Sequence, residues 1–339
     1  MTDNCINIVY SCSNEYSELA AVSIISILEN NRDADNICFY IIDKGISMRH
    51  KDEIRDMVSL YRRKLVYLPD IDVEKISGTK IVVFKWNLST FSRLFLLHVL
   101  PENVSKVIYI DCDTIVRHSL LPLWNEDMDG AWVMAADDCR GTLYRKDIGI
   151  PEDSIYTNNG VMVIDLDAWR RNSVEEMFIR FIKKHKGNVT YVDQGVVNGA
   201  LQPLKKIKLL PLRYNLISAC VYLGYDGLDL CRNPVWAYTK EEFKEALEDP
   251  VIVHFTSCFI AGSRPWEKED SHPFRDEFLL YRKMTPWCGC ALWENKEPLV
   301  KQADYWICKR LPRQFVLKVV RILHVWGFPL SRMLRRGGG

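Results

Sequence analysis

The chain of 339 residues is 48% hydrophobic and 26% charged, a globular composition that excludes a disordered polymer. Its 45 Lys and Arg against 44 Asp and Glu leave a net charge of +1, which excludes the domain-wide basic excess of a dedicated nucleic-acid binder. The length suits one large α/β domain, or one such domain with an appendage.

In chain order, the first strand expected is Ile6–Ser11. Ser17–Asn31 follows as a helix, with Ala21, Ile24, Ile25 and Leu28 on one face. Apolar runs at Ile37–Ile42, Lys64–Leu68, Lys106–Ile110, Ala131–Ala136, Val161–Asp165 and Val251–Phe255 predict further strands. Runs this apolar are buried on both faces, which predicts a mostly parallel central sheet flanked by helices. Helices are expected at His50–Tyr61, Ser89–Val99, Val174–His185 and Lys240–Glu248. The predicted organisation is an α/β domain over residues 1–270 and an aromatic, basic, helical extension over 271–339. From Tyr305 onward there are eight bases (Lys309, Arg310, Arg313, Lys318, Arg321, Arg332, Arg335 and Arg336) and no acid. Gln314–Trp326 reads as a basic amphipathic helix, which can lie in a membrane interface or pack on the domain.

Several patterns are missing. Met1-Thr2-Asp3-Asn4-Cys5 has neither the basic nor the apolar region of a secretory signal, and no apolar run approaches the ~18 residues of a membrane span. The eleven cysteines include no Cys-x-x-Cys pair, so reduced, buried thiols are expected rather than a zinc set. The only Gly-x-Gly is Gly337-Gly338-Gly339 and no Gly-x-x-x-x-Gly-Lys occurs, so neither a dinucleotide fingerprint nor a P-loop is present.

Asp111-Cys112-Asp113 follows the Lys106–Ile110 run directly. Carboxylates at i and i+2 of an extended segment share a side, and the carboxyl end of a buried strand is where open α/β sheets bind ligands. Two like charges this close call for a cation, and hard oxygens suit Mg²⁺ or Mn²⁺. A solvated turn or a helix cap is the alternative. His254 ends another apolar run; it is either a satisfied core residue or a nitrogen ligand that shifts the preference toward Mn²⁺. Asn158-Asn159-Gly160 offers amides and close backbone approach, or a plain turn. Asp193-Gln194 can orient a sugar or leaving group, or cap a helix. Arg264-Pro265-Trp266 offers a phosphate fork and a stacking face.

The ordered set resembles glycosyltransferase family eight. The segments that carry the likeness are Tyr109–Val116, Leu121-Pro122-Leu123-Trp124, Asn158-Asn159-Gly160-Val161, Asp165–Arg170, Asp193-Gln194 with Asn198-Gly199, and His254-Phe255-Thr256. That family contains bacterial lipopolysaccharide galactosyl- and glucosyltransferases and glycogenin. The resemblance implies a GT-A fold and a retaining hexosyltransferase that moves glucose or galactose from a UDP-sugar to a glycan or glycolipid acceptor. It implies Mn²⁺, with Mg²⁺ as the alternative, on Asp111, Asp113 and His254. It implies donor contacts from Ser11, Tyr16, Arg93, Asp111, Cys112, Asp138, Asn158, Asn159 and Arg264, with Asp193 and Gln194 beside the anomeric carbon. Either Gln194 stabilises an oxocarbenium-like state in front-face attack, or Asp193 forms a covalent intermediate. A lipid-linked acceptor and the basic tail place the enzyme in the cytoplasm, on the inner face of the plasma membrane. Glycogenin-like self-glycosylation and an inactive sugar-nucleotide-binding protein are the rival readings. Two stretches depart from the family pattern. Ser13-Asn14-Glu15-Tyr16 stands where the family usually has Asp-x-Asn-Tyr, and after His254 Ser257 replaces a glycine and Arg264 a lysine.

Overall fold

Strand β1 (Cys5–Ser13) alternates its side chains between two cores, as a strand buried on both faces must. Ile6, Ile8, Tyr10 and Cys12 face one apolar layer, while Val9 faces the other with Phe91, Leu94, Trp169 and Phe178. The computed structural model describes residues 5–83, 87–258, 260, 263–295, 305–308, 310–322 and 327. Seven strands form the main sheet: β1, β2 (Asn36–Lys44), β3 (Lys64–Leu68), β4 (Lys106–Ile110), β6 (Val133–Asp137), β7 (Thr157–Asp165) and β8 (Ile207–Leu209). Their order is β3-β2-β1-β4-β7-β6-β8. All neighbours run parallel except β7, which is antiparallel to both β4 and β6. A small second sheet has the order β5 (Thr114–Val116), β10 (Ile252–His254), β9 (Leu216–Ile217).

The helices are α1 (Ser17–Asn30), α2 (Met48–Leu60), α3 (Val73–Ser77), α4 (Leu121–Asn125), α5 (Thr142–Ile148), α6 (Leu166–Arg171), α7 (Val174–Lys184), α8 (Val192–Leu201), α9 (Ser218–Arg232), α10 (Lys240–Glu248) and α11 (Arg275–Arg282). Helix α1 is buried almost all round because it packs on β1 and on β5. Its two buried serines serve that second contact: Ser23 Oγ lies 2.8 Å from Thr114 Oγ1, and Ser26 Oγ accepts from Val116 N at 2.8 Å. The first α-helix thus holds the small sheet against the large one.

The expected strands are all present, with ends shifted by a few residues. Two expectations need correction. Ser89–Val99 is not an α-helix but two 3₁₀ segments, Leu88–Leu94 and Leu96–His98. Leu88, Phe91 and Leu94 recur every three residues, which suits three residues per turn and keeps Phe91 and Leu94 inward. Asn158-Asn159-Gly160 is not a turn before a strand; it lies within β7.

A helix, Arg313–Arg321, buries Val316, Leu317 and Val320 in the cluster that contains Leu223 and Leu228 of α9, and leaves Phe315 and Val319 exposed. Leu323, Trp326 and the bases Lys309, Arg332, Arg335 and Arg336 lie outside the described residues. Cys12, Cys38, Cys112, Cys139, Cys220, Cys231, Cys258, Cys288 and Cys290 are free thiols, mostly buried.

Helix α8, which carries Asp193-Gln194, sits under tight backbone packing. A Cβ at Gly195 would lie 2.0 Å from the Thr190 carbonyl oxygen. Gly195→Ala must therefore shift α8, at a cost of about 1–3 kcal/mol. Urea unfolding of the variant should show that loss; wild-type stability would mean α8 tolerates displacement.

Candidate active site

The site begins where β4 ends. Asp111 N donates to Gly160 O at 2.8 Å, extending the β4–β7 ladder by one residue. The chain then leaves the main sheet for β5, which pairs antiparallel with β10 so that Thr114 faces His254. Phe255 N donates to Asp113 O at 2.8 Å. Crossing between sheets within three residues brings both carboxylates to one imidazole. His254 Nε2 lies 3.3 Å from Asp113 Oδ1 and 3.8 Å from Asp111 Oδ2. One ligand atom from each of the three residues falls within a 4.8 Å cluster. Two carboxylate oxygens and one imidazole nitrogen form a donor set suited to Mn²⁺ or Mg²⁺.

The imidazole is oriented for ligation. Asn215 Oδ1 lies 3.0 Å from His254 Nδ1, and Asn215 Nδ2 donates to Asn158 Oδ1 at 3.0 Å. Occupying Nδ1 leaves Nε2 directed at the carboxylates. Burial works against an imidazolium at His254, but Asp113 and Asp111 outweigh it and raise its pKa. Burial likewise works to raise the Asp113 pKa, yet His254 and Arg264 hold it below the usual carboxylate range. Gly160 makes the approach sterically feasible: a Cβ there would sit 2.1 Å from His254 Cε1.

A second chain of contacts leads away from the carboxylates. Arg93, on the first 3₁₀ segment, is 5% exposed. It donates through Nη2 to Asp111 Oδ1 at 2.7 Å and through Nη1 to Asn159 O at 2.7 Å, and its Nε lies 3.2 Å from Asp193 Oδ2. The guanidinium also stacks over Tyr109, 4.4 Å from the ring centroid. Burial alone would weaken its charge, but Asp111 and Asp193 raise its pKa, so it stays a cation. Asp193 is pushed up by burial, with Arg93 opposing. Asn159 Nδ2 also donates to Asp193 Oδ2, at 3.2 Å. That carboxylate therefore does not cap α8, whose first turn is entered through left-handed backbone at Tyr191 (φ 57°) and Val192 (φ 47°). A β-branched residue in that region marks local strain beside the site.

Gln194 points to the other branch. Its Nε2 donates to Asp138 Oδ2 at 3.0 Å, and Asn158 Nδ2 donates to Asp138 Oδ1 at 3.2 Å. Burial opposes charge on Asp138, but Arg140 and Arg232 outweigh it and lower its pKa. Ser11 Oγ donates to Ser89 O at 3.5 Å, and Cys112 Sγ donates to Ser11 O at 3.5 Å, so these two line the junction of β1 and β4. Tyr16 stands half-exposed just beyond β1, and its phenol pKa is raised by burial and by Asp113. Arg264 lies 3.5 Å from Asp113 Oδ2 and 5.3 Å from the Trp266 ring centroid.

All the expected site residues therefore converge on one end of the sheet. Three further residues were not expected. Asn215 follows a 3₁₀ turn with no pattern to mark it. Arg140 pairs with Asp138 at 2.6 Å and lies over the Tyr144 and Tyr191 rings, 5.6 and 4.7 Å from their centroids. Its place two residues after Asp138 was the available signal. Arg232 reaches the Asp138 carbonyl from 94 residues away at 3.4 Å, and nothing local announced it.

General stress protein A of Bacillus subtilis is 26% identical over 294 residues, covering 84% of this chain and 96% of that protein. Lipopolysaccharide 1,2-glucosyltransferase of Escherichia coli K12 is 23% identical over 302 residues, covering 84% and 80%. The crystal structure of galactosyltransferase LgtC with donor and acceptor sugar analogues matches with a TM-score of 0.69 at 21% identity, covering 84% of this chain and 99% of that one. The architecture is a GT-A fold, with the mostly parallel sheet expected from the apolar runs. The sequence profile of glycosyl transferase family 8 matches residues 7–270, and the chain belongs to that family as a glycosyltransferase.

Two substitutions test the orientation of His254. Asn215→Ala frees Nδ1, and Gly160→Ala drives a methyl group into the ring. Each should weaken Mn²⁺ binding, for Asn215→Ala by about tenfold, the scale of a lost ligand-orienting contact. Titration calorimetry on folded variants reads this directly; wild-type affinity in both would remove His254 from the metal set.

Proposed function

We propose that the protein is a retaining hexosyltransferase that moves glucose or galactose from a uridine diphosphate sugar to a glycan or glycolipid acceptor. The carrying observation is the Asp111, Asp113 and His254 cluster at the same end of the sheet as Asp193, Gln194 and Asp138. Asp111, Asp113 and His254 would hold a divalent cation, Mn²⁺ by preference for the nitrogen ligand, and it would supply charge neutralisation for a diphosphate leaving group. Arg264 extends that positive field on the Asp113 side. The hexose then lies toward Arg93, Asp138 and Asn158, with Ser11, Tyr16, Cys112 and Asn159 completing the donor cleft.

Asp193 Oδ2 is engaged by both Arg93 and Asn159, which supports a holding role for this carboxylate. Gln194, tied by its amide nitrogen to Asp138, is the group we assign beside the anomeric carbon. Its amide dipole would stabilise positive charge as the acceptor attacks from the face the diphosphate leaves. The resemblance to a lipopolysaccharide 1,2-glucosyltransferase supports a cell-surface saccharide acceptor.

Donor hydrolysis tests the reaction. Among uridine diphosphate sugars, glucose or galactose should be released only with Mn²⁺ or Mg²⁺. Asp113→Asn should lower the rate by about 100-fold or more, since it removes a charge that holds the cation. Full activity in chelator would overturn the reading.

We further propose a catalytic unit over 1–270, and attachment through the 271–339 extension to the inner face of the plasma membrane, with the enzyme in the cytoplasm. Among the described residues no helix is long and apolar enough to cross a membrane. Trp306, Ile307, Leu311, Phe315, Val319 and Ile322 are all exposed near Arg310 and Lys318, which supports surface attachment. The protein should bind anionic vesicles most tightly at low salt and more weakly as ionic strength rises. Replacing Phe315 and Ile322 by Ser should abolish co-sedimentation without unfolding, because neither side chain is buried. No binding at low salt would overturn the membrane reading.

A further inference from the structure

Beyond the family-matched stretch, a segment folds back onto the first helix and meets Tyr16. Trp293 lies edge-on to Tyr16, with ring centroids 6.3 Å apart and planes at 88°. Two independent anchors fix that indole. Its backbone bridges to residues 266–268, with Trp293 N donating to Trp266 O at 2.8 Å and Lys268 N to Trp293 O at 3.0 Å. Its ring N–H donates to Glu18 Oε2 at 2.7 Å. Glu18 is 5% exposed and pairs through Oε1 with Arg282 Nε at 2.5 Å. Arg282, 6% exposed, donates in turn to the Cys290 carbonyl at 2.9 Å. A buried ion pair contributes little net stability over an apolar substitute, so one kept here is explained better by the geometry it imposes. That geometry is a tryptophan whose rotation is blocked from both ends.

The chain from Arg264 to Trp293, which crosses the end of the family-matched stretch, also reaches the metal cluster. Trp266 packs 6.0 Å from Trp293, and Arg264 lies over Trp266 beside Asp113. One stretch of chain therefore touches both the half-exposed ring of Tyr16 and the carboxylate end of the site. Through Trp293 and Trp266 the Tyr16 ring is thus linked to Arg264 beside Asp113, an arrangement that would take a base at Tyr16 and, with a cation on Asp113, phosphates beside Arg264.

We propose that Trp293, held by Glu18 and Arg282, is a positioning residue that fixes the Tyr16 ring for stacking on the donor's nucleobase. The assignment rests on the nucleotide-sugar reading above. An edge-to-face partner restricts the tilt of Tyr16, which keeps 37% of its surface exposed, and base–aromatic stacking tolerates any base. Nucleotide affinity then depends on residues 282 and 293, outside the stretch that defines the family. Phosphate affinity does not.

Calorimetry with Mn²⁺ present separates these terms. The probes are uridine, thymidine, cytidine, adenosine and guanosine diphosphates, with inorganic pyrophosphate as the base-free control. Trp293→Leu should weaken the best-bound nucleoside diphosphate by about three- to tenfold, the size of one aromatic pair. Pyrophosphate affinity should stay within error of wild type. Trp293→Phe, which keeps a ring edge but loses the tether to Glu18, should fall between; it carries the test alone if the leucine variant does not fold. Equal losses for nucleotide and pyrophosphate would make Trp293 merely structural and overturn the proposal. So would unchanged nucleotide binding in the variants while wild type binds nucleotides more tightly than pyrophosphate. If wild type itself binds no nucleoside diphosphate more tightly than pyrophosphate, the nucleotide-donor reading falls and takes this inference with it.

Discussion

Arg93 is the charge on which the site depends. It stands buried between Asp111 and Asp193, carboxylates from two different elements that would otherwise repel in a medium with little water. Without it the two would draw apart, because burial penalises an unpaired carboxylate heavily. With one guanidinium shared, both stay near the same cleft. Removing a partner from such a buried set typically costs about 3–5 kcal/mol, far more than its presence adds. The arrangement is therefore a constraint on geometry more than a source of stability. The 3₁₀ turn that presents Arg93, the Tyr109 ring beneath it and the strained entry to α8 are all consistent with that constraint.

The other fixed point is the passage from β4 to β5. A strand that left the sheet more gradually would carry Asp113 away from β10. Here Asp111 is still hydrogen-bonded to β7 while Asp113 already receives a bond from Phe255 beyond β10. The two carboxylates are thus fixed by two different sheets, and α1 sets the distance between those sheets through Ser23 and Ser26. Asn158 links the halves: it bonds to Asp138 on one side and to Asn215, and so to His254, on the other.

The strands and the three cluster residues were legible because both signals are local. An apolar run marks a doubly buried strand, and Asp-x-Asp or histidine directly after it marks the sheet's carboxyl end. Where the sequence misled, tertiary demand overrode the local pattern. Ser89–Val99 carries helical spacing, yet Arg93 must turn inward to Asp111, and the three-residue repeat of Leu88, Phe91 and Leu94 accommodates this. Asn-Gly favours turns, yet Asn158-Asn159-Gly160 is drawn into β7 because Gly160 is where His254 comes closest. Asn215, Arg232 and Trp293 were invisible for a different reason. Each acts on a residue distant in the chain, and a single side chain leaves no periodic trace.

The tail shows how a charge count can overstate what is free to act. Of its bases, Arg313 donates to the Tyr222 carbonyl at 2.7 Å, and Arg321 reaches Leu230 O at 3.4 Å and Asn233 Oδ1 at 3.3 Å. Both help seat the helix against α9. Both keep their charge, but these bonds hold the two guanidinium groups toward the domain, so fewer bases than the sequence suggests would be free to reach an anionic surface. The apolar part is divided in the same way: Val316, Leu317 and Val320 are used against the domain, while Phe315, Val319 and Ile322 are not. Each large apolar side chain fully withdrawn from water contributes about 1.5–3 kcal/mol. A charge near an anionic bilayer contributes about 1 kcal/mol and fades with salt. On these magnitudes the outward apolar face, rather than the basic residues, would supply most of the attachment, and the bases would set its dependence on lipid charge.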